Sequence, residues 1–389
     1  EVGDHDIPRV NNEPLDPEMV GLVTQINRLG FATTHSCAGH LTESDPRPFM
    51  PHIVFKDPTE AYTFTQLLHH DRIKLDDGNK VLFYLDKQEI FDITLLLSRI
   101  QSSDHARESV INNRVNRLKK LLIINGSTGD EGEILQVVFS EIVKLGFGIR
   151  NVRVDKTGNL MFRIFRDRMP ATWDSGYHSP TVLLSAHLDT YRDFVTGSRL
   201  LIDRNILKKS DGILGADDRA GVALILNVIE EFGRFSSACD LKVVFTVGEE
   251  SGQYGAEALD PSFYRGIDFA VSLDRRGCND IITHSRSYTY DQIGLGEEIA
   301  RMSQRLFPEE ENHYKCTEGG VSDLRVWSQE AQIPSVNLSI GYEDEHSPEE
   351  TLYLDCWHRT HELLKAILIK SPEIARKIRL KRGSDRTQA

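Results

Sequence analysis

The sequence predicts an α/β protein with a mostly parallel central sheet and helices on both faces, preceded by a small α+β module. Beyond residue 105, short and nearly continuous apolar runs alternate with helical patterns. Strands of that kind are buried on both faces, which is typical of a parallel sheet covered by helices. The first part of the chain lacks this alternation, and a length of 389 residues favours two units over a single core.

The N-terminal module is predicted to span residues 1–105. Its hydrophobic periodicity indicates helices at 17–29, 59–69 and 88–100, and strands at 31–35, 52–55 and 81–85. The motif from His35 to His40 contains Cys37 and two histidines, but no fourth zinc donor stands at structural-site spacing unless His52 supplies it. We interpret the motif as a strand and turn, with a metal site as the alternative, and the role of the module stays open.

The larger unit is predicted at residues 106–372, after a polar linker at 101–105 and before a basic tail at 373–389. Apolar runs indicate strands at 181–186, 241–247, 269–273 and 335–340, and helical patterns at 222–231 and 291–305. The basic residues of the tail indicate a frayed, solvated end.

Composition and charge exclude several classes of partner. A net charge of −13 and a pI near 5.6 argue against binding to nucleic acid or to an anionic membrane, because both need a concentrated positive surface. No run approaches a membrane span, and the first residues do not form a secretory signal. The 5 cysteines are odd in number and scattered, so we expect no disulfide framework and a cytoplasmic, reducing location.

Histidine and acidic residues follow the predicted strands, at the edge where an α/β sheet gathers its reactive groups. His187 and Asp189 come at the end of the first long strand, and strand alternation directs them to one side. A histidine ligand needs an acceptor for its other ring nitrogen, so Asp189 is expected to orient His187.

Four further motifs share that position. Asp217 and Asp218 precede a helix, Glu249 and Glu250 end the strand at 241–247, Asp274 ends the strand at 269–273, and His346 precedes the last helix. Each alone is explained as a helix cap or a solvated loop. Together, adjacent acids at strand ends repel one another unless a cation or proton relieves them.

In this order, the motifs HxD, ADDRAG, GEESG, LD and EHS resemble the co-catalytic dizinc peptidases. That superfamily includes the dizinc aminopeptidases, the tripeptidase T-like enzymes and the tetrahedral glutamyl aminopeptidases, and the likeness covers residues 108–372. It implies hydrolysis of amide bonds in short peptides, with aminopeptidase action expected. Removal of an acyl group from an amino acid or small amine is the alternative, and a non-catalytic metal-stabilised binding protein is a third.

The resemblance implies a ligand set for two divalent metal ions, zinc with cobalt or manganese as alternatives. His187, Asp217 and Asp274 correspond to the ligands of one ion. Asp217, Glu250 and His346 correspond to those of the other, so that Asp217 bridges the pair.

Two residues complete the catalytic set that the resemblance implies. Glu249 corresponds to the general acid/base, which takes a proton from the attacking water and gives it to the leaving amine. Asp189 accompanies it as the residue that orients His187. Asp218 is expected to cap its helix and support Asp217, and in relatives the peptide bond between these two aspartates is cis.

The spacing of the motifs resembles that of the single-domain dizinc aminopeptidases, although ADDRAG is closer to the other two branches, so the subfamily stays open. The interval from His187 to Asp217 is too short for the extra domain of the tetrahedral enzymes, and the interval from Asp274 to His346 leaves little room for a lid domain. We therefore expect an uninterrupted unit whose partner is a peptide or small-amide substrate, with a homo-oligomer as a further possibility.

The substrate-binding residues are left open by the sequence. Tyr314, Tyr342 and His284 are candidates to stabilise the oxyanion, and the turn at 319–323 is a candidate for substrate contact. The many carboxylates favour a cationic substrate end, such as a free amino terminus. Arg275 and Arg276 argue against a cationic substrate end, because a guanidinium beside the site binds a carboxylate.

Overall fold

In a computed structural model, the chain divides into two compact units, Glu1–Asn113 with Arg234–Ser237, and Arg114–Gly233 with Ala238–Ala389. The predicted limits at residues 105 and 372 stay predictions. The structure describes residues 9–10, 13–14, 17–29, 31–37, 51–68, 70, 72–76, 78–85, 89–90, 93–94, 103–146, 152–165, 180–232, 239–308 and 313–386.

The first unit is built on a small antiparallel sheet. Its elements are β1 (Arg9–Val10), β2 (Glu13–Pro14), α1 (Pro17–Arg28), β3 (Thr33–Cys37), β4 (His52–Phe55), α2 (Pro58–Leu68), β5 (Ile73–Asp76) and β6 (Lys80–Phe83). The sheet order is β3-β4-β6-β5, and Phe31, Phe55, Phe64 and Phe83 pack together in its core. The predicted metal alternative cannot be placed, since the side chains of His35 and Cys37 and all of His40 lie outside the described residues.

The second unit alternates helices and strands, as the apolar runs indicate. The elements are α3 (Ser103–Leu121, which begins before the division), α4 (Gly132–Lys144), β7 (Val152–Val154), β8 (Leu160–Ile164), β9 (Thr181–His187), β10 (Leu200–Asp203), β11 (Ile206–Lys209), α5 (Ala216–Phe232), β12 (Asp240–Thr246), α6 (Tyr254–Glu257), β13 (Phe269–Arg275), β14 (Asp280–His284), α7 (Leu295–Leu306), β15 (Lys315–Glu318), β16 (Ser335–Ser339), β17 (Tyr342–Glu343), β18 (Thr351–Tyr353) and α8 (Leu354–Arg386).

The main sheet has the order β15-β14-β16-β13-β9-β12-β8-β7. Its centre, β16-β13-β9-β12, is parallel, while β14, β8 and β7 join through antiparallel pairs. Successive residues of β9 face opposite sides: Val182 and Leu184 pack in one core, and Leu183 packs in another with Trp327. The predicted α/β class is therefore confirmed, with antiparallel strands at the flanks of the parallel centre.

The catalytic motifs are not separated by an inserted domain in the part of the chain that is described. Between His187 and Asp217 the described chain forms only the hairpin of β10 and β11, which joins β18 and β17 in a second, four-stranded sheet. Between Asp274 and His346, the described residues form β14, α7, β15, a short π-helix, β16 and β17. The uninterrupted unit expected from the motif spacing is what these elements form.

The end of the chain differs from the solvated tail that the basic residues indicated. Helix α8 continues to Arg386, and Ile374 and Ile378 are buried in the core. The Nε atom of Arg379 also donates to Asp268 at 2.8 Å. Apolar residues four positions apart keep one helix face buried. In the sequence, the many basic residues around Ile374 and Ile378 hid this apolar spacing.

The structure has one disulfide bond where the cysteine pattern predicted no disulfide framework. Cys278 and Cys356, 78 residues apart, form a disulfide bond, and among the described residues the thiols of Cys239 and Cys316 form none. Sequence spacing could not pair them, because their proximity depends on the packing of the β13–β14 connection against the start of α8. The cytoplasmic location inferred from the cysteines loses that support and stays a prediction. Within the described residues, no helix combines the length and apolar character needed to cross a membrane.

Candidate active site

The candidate site lies at the carboxyl edge of the parallel strands. His187 ends β9, Asp274 stands near the end of β13, and Glu250 follows β12. Asp217 opens α5, and His346 lies in the loop after β17. Because parallel strands bring their carboxyl ends to one edge, residues scattered over the sequence meet there.

Two donor groups share Asp217. In one, His187 Nε2 lies 3.0 Å from Asp217 Oδ1 and 3.6 Å from Asp274 Oδ1. In the other, His346 Nε2 lies 3.2 Å from Asp217 Oδ2 and 2.8 Å from Glu250 Oε1. The donor atoms of each group lie within 4.8 Å of one another. Asp217 thus presents a different carboxylate oxygen to each group.

The donors fit divalent cations. Burial and the charge of Asp217 raise the pKa of Asp274 to about 7, and the close carboxylates of Asp217 and Glu250 raise the pKa of His346 to about 10. Among the described residues, Glu250 Oε1 and His346 Nε2 are buried without a well-aligned hydrogen-bond partner. Cations would relieve this crowding of carboxylates, and imidazole and carboxylate donors without cysteine suit Zn²⁺, Mn²⁺ or Co²⁺.

Asp189 links the two halves of the site. Its Oδ1 lies 3.3 Å from His187 Nδ1 and accepts the backbone N–H of Glu249 at 3.1 Å. Its Oδ2 accepts the N–H of Glu250 at 3.2 Å and the hydroxyl of Thr128 at 2.8 Å. Burial opposes ionisation, yet the hydrogen bonds outweigh it and lower the pKa of Asp189 to about 2. Asp189 therefore holds the turn that carries both glutamates as well as His187.

The turn that presents Asp217 is held by buried carboxylates. Asp218 Oδ1 accepts the N–H of Gly221 at 3.1 Å, as expected for a cap, and its Oδ2 accepts the N–H of His187 at 3.1 Å. The Asp217–Asp218 peptide bond is cis. A side chain at position 221 would meet the carbonyl oxygen of Leu273 at 2.1 Å, so this close approach requires glycine.

Glu350 supports the same turn, and the sequence did not single it out. Its carboxylate accepts the backbone N–H groups of Gly215, Ala216 and Asp217 at 2.8, 2.7 and 3.2 Å. Burial raises its pKa to about 7, although those backbone hydrogen bonds oppose the rise. No spacing rule connects Glu350 with the start of α5. The only signal in the sequence was that Glu350 lies in the same acidic run as His346.

Glu249 faces a pocket of about 400 Å³, whose lining includes Asp217, Glu250, Asp274 and His346. Burial raises the pKa of Glu249 to about 9, and the charges of Asp274 and Asp217 add to the effect. Glu249 belongs to neither donor group, although it lies on the same wall. Its carboxylate is thus placed to exchange protons with a molecule in the pocket.

Of the three candidates to stabilise the oxyanion, only Tyr342 lies at the pocket. Tyr342 lines the pocket, and its hydroxyl donates to Asp274 Oδ1 at 3.3 Å. The Tyr314 hydroxyl is buried against Thr360 at 2.7 Å, and His284 is exposed and outside the pocket lining. Of the glycine-rich turn, residues 320–322 line the pocket, and their contact with a substrate stays a prediction.

A parallel-centred α/β sheet with imidazole and carboxylate donors gathered at its carboxyl edge suits a metal-dependent hydrolase. Residues 170–380, more than half of the chain, match the model of peptidase family M28. The chain belongs to that family.

Solved structures show the same fold. Aminopeptidase PepT from Bacillus cereus aligns at 20% identity over 68% of this chain and 99% of that chain, with a TM-score of 0.53. An aminopeptidase from the archaeon Desulfurococcus kamchatkensis aligns at 16% identity over 69% and 98%, with a TM-score of 0.54. In sequence, the uncharacterized protein YqjE of Bacillus subtilis is 30% identical over 163 residues, which span 41% of this chain and 42% of that relative.

Proposed function

We propose that this protein is an aminopeptidase that removes residues from the amino terminus of short peptides, using two divalent metal ions. The carrying observation is the position of Asp217, with one oxygen 3.0 Å from His187 and the other 3.2 Å from His346. Such a carboxylate suits a bridge between two cations. Zinc is the proposed ion, with cobalt and manganese as alternatives.

In this proposal the two donor groups are the ligand sets of the two ions. His187, Asp217 and Asp274 hold one, and Asp217, Glu250 and His346 hold the other. When bound, a pair of cations polarises the scissile carbonyl and lowers the pKa of the attacking water. Asp189 orients His187 and leaves its Nε2 directed at Asp217.

Glu249 acts as the general acid/base. Its carboxylate takes one proton from the attacking water as the new C–O bond forms at the carbonyl carbon. It then gives that proton to the amide nitrogen as the C–N bond breaks, which releases the amine. The half-buried position of Glu249 beside the donor groups supports this role, since limited exposure slows proton exchange with solvent.

The acidic pocket supports recognition of a free amino terminus. Glu249, Glu250 and Glu345 line it together with the carboxylates of the donor groups. An ammonium group is attracted to such a surface, which fixes the register of the peptide. Deacylation of N-acyl amino acids or small amides is the second candidate. Arg275 in the same lining favours the N-acyl amino acids, because they carry a carboxylate and no ammonium.

A matched pair of peptides tests this choice. Ala-Ala-Ala and its N-acetylated twin are compared with Zn²⁺, Mn²⁺ or Co²⁺ supplied and again after chelation. We expect the free peptide to be cleaved faster, with release of alanine, and chelation to abolish the reaction. Faster release of acetate from the acetylated peptide would establish the deacylase instead. Full activity with no metal bound would overturn the mechanism.

We also propose that the site is complete within residues 106–372, with residues 1–105 as a separate module and 373–389 as a terminal segment. Every donor belongs to the second unit, which supports this division. Removal of residues 1–105 should leave a folded protein that binds the metal. A folded truncated protein without metal binding would refute it. Self-association and a cytoplasmic location remain predictions.

A further inference from the structure

Two adjacent arginines enter the candidate pocket directly after Asp274. Arg275 is the last residue of β13 and Arg276 follows it, and both line the pocket with the donor carboxylates. Their backbone is held firmly: the Asn337 side chain bonds both the N–H and the carbonyl of Asp274, at 2.9 and 2.8 Å. The Arg275 carbonyl accepts the N–H of Ile340 at 2.8 Å. The sheet therefore holds the backbone from which the Arg275 side chain extends.

The two guanidinium groups differ in how they are neutralised. Arg276 Nη1 donates to Glu345 Oε1 at 3.1 Å. Arg275 has only a long ion pair, 3.7 Å from Nη2 to Asp280 Oδ2, and its Nε is buried without a hydrogen-bond partner among the described residues. The Arg275 side chain is 25% exposed. Arg275 thus lines the pocket as a mostly buried cation that has one long ion pair and one donor without a partner among the described residues.

A buried guanidinium donor without a partner costs free energy, so its retention in a pocket points to a ligand that completes it. The ligand that matches a guanidinium best is a carboxylate, which accepts two parallel N–H bonds. Arg276 already donates to Glu345, so Arg275 is the guanidinium of this pair that is available to bind a ligand. A pocket of about 400 Å³ accommodates a short peptide that reaches from the donor groups to this wall.

We propose that Arg275 binds a carboxylate of the substrate, so that the enzyme prefers short peptides bearing an acidic group near the scissile bond. This inference rests on the proposed peptidase function and names its substrate class. The carboxylate belongs either to the carboxyl terminus of a very short peptide or to an acidic side chain at the amino-terminal residue. Arg275 then binds this carboxylate while the acidic wall holds the ammonium group.

Binding is measured by calorimetry on the zinc-loaded Glu249→Gln protein, so that ligands stay intact. One arm compares Ala-Gly with alanyl-glycinamide, which differ only in the terminal carboxylate. The other compares glutamyl-glycinamide with glutaminyl-glycinamide, which differ only in the side chain. We expect the carboxylate ligand to bind about tenfold more tightly or better in one arm, the scale of a charge-assisted pair.

Arg275→Gln in the same background should remove that preference. Arg275→Lys, which keeps the charge and loses the planar fork, should reduce it, and this variant decides the matter if the glutamine variant fails to fold. Arg286→Gln is the matched control, since the Arg286 side chain is 94% exposed and lies outside the pocket lining. A preference that survives at Arg275→Gln, or no preference in either arm, overturns the proposal.

Hydrolysis of the same four ligands by the unmodified, zinc-loaded enzyme separates this inference from the proposed function. Cleavage without any preference for the carboxylate ligand refutes the Arg275 site and leaves the peptidase intact. Selective, Arg275-dependent binding without cleavage supports the carboxylate site and refutes the peptidase. Cleavage with matching preferences in binding and in kcat/KM supports both.

Discussion

The ring of Tyr191 stacks on the imidazole of His346, with centroids 4.4 Å apart and planes inclined by 10°. The guanidinium of Arg192 lies 5.0 Å over the Tyr191 ring, and its Nη2 donates to the His346 carbonyl at 3.3 Å. His346 has a φ of 65°, which is unusual for a non-glycine residue, and its side chain is 35% exposed. A proposed metal ligand on an exposed loop is therefore held by two neighbours that follow Asp189 in sequence.

We predict that Tyr191→Ala weakens divalent-ion binding at the group containing His346 by about threefold to tenfold, the scale of a lost aromatic pair. Calorimetric titration of the metal-free protein with Zn²⁺ measures the affinity directly. Tyr191→Phe keeps the stacking and should bind as the unmodified protein does. Equal affinity in the alanine variant would show that His346 does not depend on the stack.

Glu249→Gln should lower kcat by about 10² or more, because the amide can neither accept nor return the proton. The metal content should stay unchanged, since Glu249 belongs to neither donor group. Glu250→Gln is the contrasting variant and should lose metal as well as activity. Metal loss in Glu249→Gln, or unchanged turnover, would mean that the roles of these two glutamates are exchanged or mistaken.

Glu350→Gln should destabilise the fold by about 1–3 kcal/mol, because one amide oxygen cannot replace a carboxylate that accepts three buried N–H groups. Urea unfolding of the metal-free protein measures the difference. Glu349→Gln is the matched control, since Glu349 is exposed at the adjacent position. Similar stability of the two variants would show that the turn before α5 does not need the Glu350 carboxylate.

His358 gives the fold a dependence on pH that lies outside the candidate site. Burial, aided by the charge of Arg114 and opposed by that of Glu362, lowers the pKa of His358 to about 4. Between that value and the ordinary 6.5, the unfolded chain binds the proton and the folded chain does not. Stability should therefore fall as pH drops through this window, by up to about 1.4 kcal/mol per pH unit from this group.

His358→Gln should remove that part of the slope, as measured by urea unfolding at pH 7.5, 6 and 5. The exposed His284 offers a comparison, and His284→Gln should keep the slope of the unmodified protein. If His358→Gln retains the full acid destabilisation, other groups are responsible for it.

Much of this protein was determined by the sequence alone. Apolar runs defined β9, β12, β13 and β16 within a residue or two, because a strand buried on both faces must be apolar at every position. The resemblance named the donors that meet in space among the described residues. His187, Glu250 and Asp274 stand at strand ends and Asp217 at a helix start that the hydrophobic pattern also locates, whereas His346 lies in a loop that the pattern did not define.

Only the tertiary structure decided the rest, because it depends on which distant segments come into contact. Glu350 binds the turn before α5 across more than a hundred residues, and Tyr191 stacks on His346, without any periodic signal. Cys278 and Cys356 are paired by the packing of a loop on a helix. Arg275 and Arg276 are adjacent in sequence, yet their different neutralisation follows from the positions of Asp280 and Glu345 in the fold.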